Sequence, residues 1–328
     1  MEHNPGPGHP ERPERIGVFL PELLEQPGLV HVEPRLATAD DITLVHGPGH
    51  FEQVARTRAM SHFAFDADTP VSAGSFDTAC LAVGGVLELL DAVVAGRVDN
   101  GFALIRPPGH HAERDRAMGF CLFNNIAIGA AHLRARHGLE RVLIVDWDVH
   151  HGNGTQHVFA RDPSVLYIST HRYPFYPGTG AIDEIGSGDG AGFTVNLPFP
   201  GGFGDAEYIE AFRTVIEPIA LQYAPQLVLI SAGFDPHQRD PLGGMAVSEQ
   251  GFAIMARSLL SVADQVVGGR CVAVLEGGYD LRAMHDSVGA VLDEFCAPAR
   301  QPLPGRISTT ARPLLDAVRR RHADFWDF

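Results

Sequence analysis

The sequence predicts an α/β fold, a three-layer sandwich in which a mainly parallel central sheet carries helices on both faces. Short runs of aliphatic and β-branched residues recur along the chain, and segments of helical period separate most of them. Several of those runs end in acids, imidazoles or a phenol, as expected where strands of a parallel sheet deliver side chains to one edge. At 328 residues the chain has ample length for the core of one such domain.

Residues 1–15 are rich in Pro, Gly and charge, which predicts an irregular, superficial segment. Helical patterns follow near 50–60 and 75–95. Phe102–Ile105 reads as a buried strand running into Arg106-Pro-Pro-Gly-His110-His111. A helix over 123–137 precedes a strand over 141–146, whose apolar residues predict burial on both faces. Further strands are expected at Val165–Ser169, Phe193–Leu197, Leu227–Ser231 and Val272–Leu275, with helices near 205–223, 248–267 and 280–296. The tail, 309–328, reads as a short helix with Arg319-Arg-Arg321 and the aromatic end Phe325-Trp-Asp-Phe328. That end is expected to dock on its own domain, another subunit being the alternative, so an oligomer stays open.

Composition narrows the partners. A net charge of −15 argues against nucleic acid and for a cationic partner, with simple solubility as the other cause. All 25 basic residues are Arg, which excludes a Schiff-base lysine, a P-loop lysine and a lysine general base. The longest apolar stretch, about 79–95, carries Glu88 and Asp91, so no membrane span is expected. The N-terminal ten residues lack the basic and apolar regions of a secretion signal, and Cys80, Cys121, Cys271 and Cys296 lie far apart. A cytoplasmic location is the expectation.

The stretch Asp146-Trp-Asp148-Val-His150-His-Gly-Asn153-Gly follows the strand over 142–145. Alternate residues of an extended segment share a side, so Asp146, Asp148 and His150 can project together. Three other strand ends deliver His110-His111, Asp235 and Glu276-Gly-Gly-Tyr279. These parts suit metal-assisted hydrolysis. Asp148, His150 and Asp235 supply the carboxylates and imidazole that Zn²⁺ takes, with a position left for water and a carbonyl oxygen. A neighbouring imidazole serves as general base and then acid, Tyr279 donates to the oxyanion, and Asp146 and Asn153 orient the two imidazoles.

With Gly119-Phe-Cys-Leu-Phe-Asn-Asn125, Phe175-Tyr-Pro-Gly-Thr-Gly180 and Ser231-Ala-Gly-Phe-Asp235 added, the motifs resemble the zinc-dependent histone deacetylase superfamily. The resemblance runs in order from His9-Pro-Glu-Arg-Pro-Glu-Arg15 to residue 296. Asn153 in place of Asp makes it closest to class II deacetylases and their bacterial relatives, which include acetylpolyamine amidohydrolases and acetoin-utilization-like proteins. It implies one Zn²⁺ per chain on Asp148, His150 and Asp235, His111 as main base and acid, and His110 with Asp146 as its electrostatic partner. Tyr279 departs from vertebrate class IIa members, which carry His there. Gly119, Phe120, Tyr176, Leu242 and Gly278 match the tunnel for the acyl-lysine, and Tyr176 in place of Phe makes it more polar. A structural K⁺ would use Asp146, Asp148, His150, Ser169 and Thr170; a second would use Phe159, Asp162, Val165 and Phe193.

The family usually opens with a short strand, whereas this chain begins almost inside the His-rich loop. Leu242 stands where polyamine-specific relatives place an acid, so an acylated lysine of a protein or peptide is the expected substrate, with an acetylpolyamine or other small acylated amine as the alternative. An arginase-type binuclear manganese site would need a second Asp two residues after Asp235, where this chain has His237. A non-catalytic reader of acylated ligands would have no need of Tyr279 or the His pair.

Overall fold

Six short strands form the central sheet of the computed structural model, which describes residues 2–19, 21–305 and 308–328. They are β1 (Gly101–Ala103), β2 (Val142–Asp146), β3 (Val165–Arg172), β4 (Thr194–Phe199), β5 (Leu227–Ala232) and β6 (Cys271–Leu275). Their order is β1-β6-β5-β2-β3-β4, and every pairing in this sheet is parallel. Parallel neighbours need crossovers, and the helices that make them cover both faces.

Strand β2 illustrates why its sequence is apolar throughout. Leu143 and Val145 point into one core, with Phe212, Phe252, Leu259 and Val288, whereas Val142 and Ile144 point into the other, with Val83, Leu87, Ile126 and Leu133. Each fully buried aliphatic side chain contributes roughly 1.5–3 kcal/mol by leaving water. The second face is built by α1 (Pro48–Arg56), α2 (Ser75–Val94) and α3 (Asn125–His137). After β2 comes α4 (Asn153–Phe159). The first face carries α5, which runs through Asp205–Ala211, a π-helical turn at Phe212–Ile216 and Glu217–Tyr223, then α6 (Glu249–Val267), α7 (Leu281–Cys296) and α8 (Arg312–His322).

Local chemistry sets the helix ends. Asn124, Ser248 and Asp280 cap α3, α6 and α7 through side-chain oxygens that accept from Ala127, Gly251 and Ala283 N–H groups. Gly138 and Gly268 close α3 and α6 in the left-handed region, at φ of +67° and +65°. Inside α5, Pro218 has no N–H for the carbonyl of Thr214 four residues earlier. Arg319 of α8 takes that acceptor instead, at 3.1 and 2.9 Å, and so ties the tail helix to the body.

The tail docks as expected. Trp326 donates Nε1–H to the Gly192 carbonyl at 2.9 Å and packs edge-on against Phe193, while Phe325 and Phe328 remain exposed. Strand β1 stops earlier than expected, at Ala103, because the chain must turn into Arg106-Pro107. Strand β3 runs on to Arg172, and α4 begins inside the Gly-Asn-Gly stretch that reads as loop.

The N-terminal segment corrects the sequence reading. It is irregular up to the helical turn Glu14–Gly17, but not superficial: His3, Glu11 and Arg15 are buried. Glu11 accepts from Arg106 Nε and Nη2, each at 2.7 Å, and Arg15 lies 3.3 Å from it. Buried charges survive by pairing, so a charged stretch that reads as solvated forms an internal ion-pair network. Among the described residues, no helix is long and apolar enough to cross a membrane.

Candidate active site

Strands β2 and β5 are neighbours, yet the chain leaves β2 toward β3 and leaves β5 toward β6, on opposite sides. Loops diverge at such a switch point and open a crevice beyond the strands' carboxyl ends. Asp146, the last residue of β2, pairs in register with Ser169 of β3 and Ser231 of β5, so the loops start level. Asp148 and His150 follow β2, and Asp235 follows β5. They meet over the crevice.

His150 Nδ1 lies 3.1 Å from both Asp148 Oδ1 and Asp235 Oδ2. All three potential ligand atoms are within 4.8 Å of one another. The carboxylates are held by backbone: Val149 N–H donates to Asp235 at 2.9 Å, and His150 and Gly277 N–H groups donate to Asp148 at 2.9 and 2.8 Å. Glycine is required close by, because a Cβ at Gly233 would lie 2.1 Å from Asp148 Oδ2 and one at Gly277 2.2 Å from Asp235 Oδ2.

Two buried carboxylates face one imidazole nitrogen. Burial and the charge on Asp148 raise the carboxyl of Asp235 to about 7, while Asp148 is held ionised against its burial by His110 and His150. The cluster is short of positive charge, and two oxygens with one nitrogen are donors that a divalent cation such as zinc accepts.

Beside it stand the two imidazoles of His110 and His111, with centroids 4.0 Å apart. Burial opposes charge on His110, but Asp148 and Asp146 raise its imidazole to about 10; Asp146 Oδ2 accepts from Nδ1 at 3.0 Å and from the Tyr167 hydroxyl at 3.0 Å. His111 is pushed well below its ordinary value, first by burial and then by the charges of His110 and His150. Its Nδ1 lies 2.8 Å from Asn153 Oδ1. Adjacent imidazoles thus have different partners, a carboxylate for His110 and a carboxamide for His111, the division of labour that an acid and base pair needs.

A cavity of about 240 Å³ ends on these groups. It is lined by Gly119, Phe120, Phe175, Tyr176, Leu242 and Tyr279, with the three histidines at its floor and Asp68 among its walls. Tyr176 sets its ring edge-on to His111 at 5.1 Å, and Phe175 stacks on His150 at 5.3 Å. Phe120 has φ of +68°, a conformation that costs a non-glycine residue and is found mainly where function demands it. Asp240 joins opposite walls by accepting from the N–H groups of Leu242 and Tyr279, at 2.8 and 2.7 Å.

The model of the histone deacetylase domain family matches residues 9–295. The chain belongs to the histone deacetylase family. It is 45% identical over 292 residues to "Histone deacetylase 15" of Arabidopsis thaliana, covering 87% of this chain and 52% of that protein. It is 42% identical over 339 residues to "Polyamine deacetylase HDAC10" of Homo sapiens (96% and 49%), and 42% identical over 286 residues to a "Probable deacetylase" of Archaeoglobus fulgidus (86% and 79%). The chain spans about half the length of the plant and human relatives. The crystal structure of the HDA15 HD domain superposes with a TM-score of 0.91 at 41% identity, over 99% of this chain and 92% of that one.

In this family member the residues read as ligands, imidazole pair and tunnel come together, with one exchange. Gly277 lines the cavity in place of Gly278, whose carbonyl faces away and accepts from Arg15 Nε at 2.7 Å. Arg15 also donates to the Glu276 carbonyl at 2.5 Å and lies over the Tyr279 ring, so the N-terminal segment clamps the Tyr279 loop. Glu276 itself accepts from the Gly109 and His110 N–H groups at 2.6 and 3.1 Å and positions the His pair from below. Sequence reasoning assigned no role to Arg15, Glu276, Asp68 or Glu113. Glu276 carried a signal, a lone acid at a buried strand end; Asp68, in a turn of Asp, Ala and Thr, carried none.

Ser169 and Thr170 sit beside Asp146 as the resemblance implies. The Thr170 hydroxyl is buried with no hydrogen-bond partner among the described residues. For the second set, Asp162 N–H donates to the Phe159 carbonyl, Val165 N–H to the Asp162 carbonyl, and the Phe193 carbonyl accepts from Tyr167.

Proposed function

We propose that this chain is a zinc-dependent amidohydrolase that removes acetyl-type acyl groups from the lysine side-chain amine of proteins or peptides. The reading is carried by one observation: two adjacent imidazoles, His110 held by Asp146 and His111 held by Asn153, stand beside an Asp-His-Asp cluster at the end of a mostly apolar cavity.

Asp148, His150 and Asp235 hold one zinc ion, and Asp146, Ser169 and Thr170, with Asp148 and His150, hold a structural potassium; the second set takes a further one. When bound, zinc supplies a Lewis acid for the acyl carbonyl and makes a nearby water more acidic. Gly119, Phe120, Tyr176 and Leu242 enclose the linear methylene chain and exclude water, which strengthens every charge interaction at the floor. His111, with Nδ1 engaged by Asn153, presents Nε2 to the cavity and takes the proton of the attacking water. It returns that proton to the leaving amine. General catalysis of this kind is worth about 10²–10⁴ in rate. His110, whose imidazole is favoured in its charged form by Asp148 and Asp146, stabilises negative charge as it develops. Burial holds the Tyr279 phenol protonated, so it donates to the same oxyanion.

The enzyme acts as one domain over residues 1–328, in the cytoplasm. An acetylated polyamine is the second reading, favoured by the similarity to a polyamine deacetylase and by Asp68, whose carboxylate suits a cationic or N–H-rich substrate. Turnover of an acetyl-lysine peptide and of acetylspermidine by the zinc-loaded protein decides between them. The peptide is the expected substrate, a strong preference for the polyamine overturns that choice, and inertness toward both overturns the deacylase reading.

A further inference from the structure

Asn153 orients His111, but a carboxamide has two faces, one that accepts and one that donates. With Oδ1 toward His111 Nδ1 the ring must carry its proton on Nδ1, leaving the Nε2 lone pair for the cavity. With the NH₂ group turned there, Nδ1 must be the acceptor and the proton moves to Nε2, where it blocks proton abstraction. Something must choose between these faces.

The choice is made on the far side of the carboxamide. Asn153 Nδ2 lies 2.5 Å from Glu113 Oε1 and 3.3 Å from the His111 carbonyl oxygen. An ionised carboxylate and a carbonyl only accept, so the NH₂ must face them. Glu113 is fixed in turn. Its N–H donates to the Arg116 carbonyl at 2.9 Å in a tight turn, and Oε1 also lies 2.8 Å from His157 Nδ1. Asn153 and His157 are four residues apart on α4 and present neighbouring side chains, which one carboxylate oxygen bridges. Burial alone would raise the Glu113 carboxyl, but His157 and Asn153 keep it below its ordinary value and therefore ionised. The His157 side chain is half exposed, so this support lies on the surface, outside the cavity.

We infer that Glu113 is a positioning residue that sets the tautomer of His111 by locking Asn153 with its oxygen toward the imidazole. This deepens the deacylase reading and rests on it for the rate effects, but not for the proton position. A carboxamide at 113 weakens the constraint, because its own NH₂ and oxygen pair with either face of Asn153 and only the longer contact to the His111 carbonyl, at 3.3 Å, still favours the NH₂.

The test is a double-mutant cycle with a spectroscopic readout. In full-length protein labelled with ¹⁵N-histidine, the His111 ring, identified by the loss of its signals in His111→Gln, is expected as the Nδ1–H tautomer. Glu113→Gln is expected to add the Nε2–H form and to lower kcat about tenfold with KM within about twofold. Glu113→Asp, still an acceptor only, recovers most of the rate. In Asn153→Asp the side chain has no wrong face and faces Glu113 with like charge, so adding Glu113→Gln raises activity instead of lowering it. A Glu113→Gln protein with the wild-type tautomer and kcat, or a Glu113→Gln effect of the same sign in both backgrounds, overturns the inference. If wild type hydrolyses no acylated amine, the deacylase reading fails while the tautomer comparison still decides the role of Glu113. Should Glu113→Gln not fold, Glu113→Ala, which removes the accepting carboxylate, supplies the same comparison, and a wild-type tautomer with wild-type kcat in Glu113→Ala overturns the inference.

Discussion

Gly233→Ala is the sharpest single perturbation of the Asp148-His150-Asp235 cluster proposed to hold zinc, because it adds one methyl and removes nothing. Gly233 follows β5 with a backbone open to any residue, so strain in φ is not the issue. The added carbon would lie 2.1 Å from Asp148 Oδ2 and 2.5 Å from its Cγ, about 1.3 Å inside an ordinary contact. Asp148 cannot withdraw that far and keep its hydrogen bonds from Gly277 and His150 N–H, at 2.8 and 2.9 Å. Bonds to a charged group are worth about 1.5–3 kcal/mol each, so a net loss of about 3 kcal/mol is expected after relaxation, a fall in Tm of roughly 4 °C for a chain of this length. Metal sites tolerate ligand shifts of only about 0.2 Å, and a 1 Å misplacement costs about 100-fold in rate. Bound zinc measured by elemental analysis should fall below one per chain, and kcat/KM on an acetyl-lysine peptide should fall about 100-fold. Gly49→Ala, where a methyl meets nothing within 4 Å, is the control and should change neither. Wild-type metal content and activity in Gly233→Ala would refute the argument that Asp148 is clamped where the metal needs it.

Tyr279→Phe keeps the ring between Phe120 and Arg15 and removes only the hydroxyl, so kcat should fall about 10²–10³-fold with Tm unchanged; a variant as fast as wild type excludes the phenol as oxyanion donor. Chelation should abolish activity and lower Tm, since an ion present at about 100 times its Kd adds about 2.7 kcal/mol. Stability should fall with acid for a separate reason. His46 is lowered to about 3 by burial and then His50, and its Nε2 accepts from Asn124 N–H; His322 is lowered to about 4 by burial and then Arg321. Both are depressed below the ordinary value of 6.5, so their contribution is complete above that pH. It is lost as pH falls toward 4, by about 2.7 kcal/mol per pH unit for two protons. The pH dependence of urea midpoints should show it, and His322→Leu should lower the acid slope by one proton's share, about 1.4 kcal/mol per pH unit; an unchanged slope would exclude His322 as a source.

Fold class, strand identity and the Asp148-His150-Asp235 cluster were legible because they are written locally. A strand buried on both faces must be apolar throughout, as Val142–Val145 is, and the side chains that follow it have only one crevice to enter. Asp148 and His150 are two apart in sequence, so their shared direction follows from the period of an extended chain. Asp235 was readable because Ser231-Ala-Gly-Phe-Asp235 follows the same kind of strand.

The supports of the site lie across the fold, and no local pattern encodes them. Arg15 reaches the Gly278 carbonyl across 263 positions, Glu11 pairs with Arg106 across 95, and Glu276 meets the Gly109 N–H across 167. A charged residue in a Pro-rich, polar stretch reads as solvated until tertiary packing shows that it is enclosed, which is why residues 1–15 were misjudged as superficial. Which face of Asn153 meets His111 is decided in the same way. The sequence by itself determined which groups are available for the chemistry, because ligand type and strand period are properties of single residues and their near neighbours. Tertiary structure alone decided which of them are charged and which way their protons point, because burial and opposing carboxylates act through space.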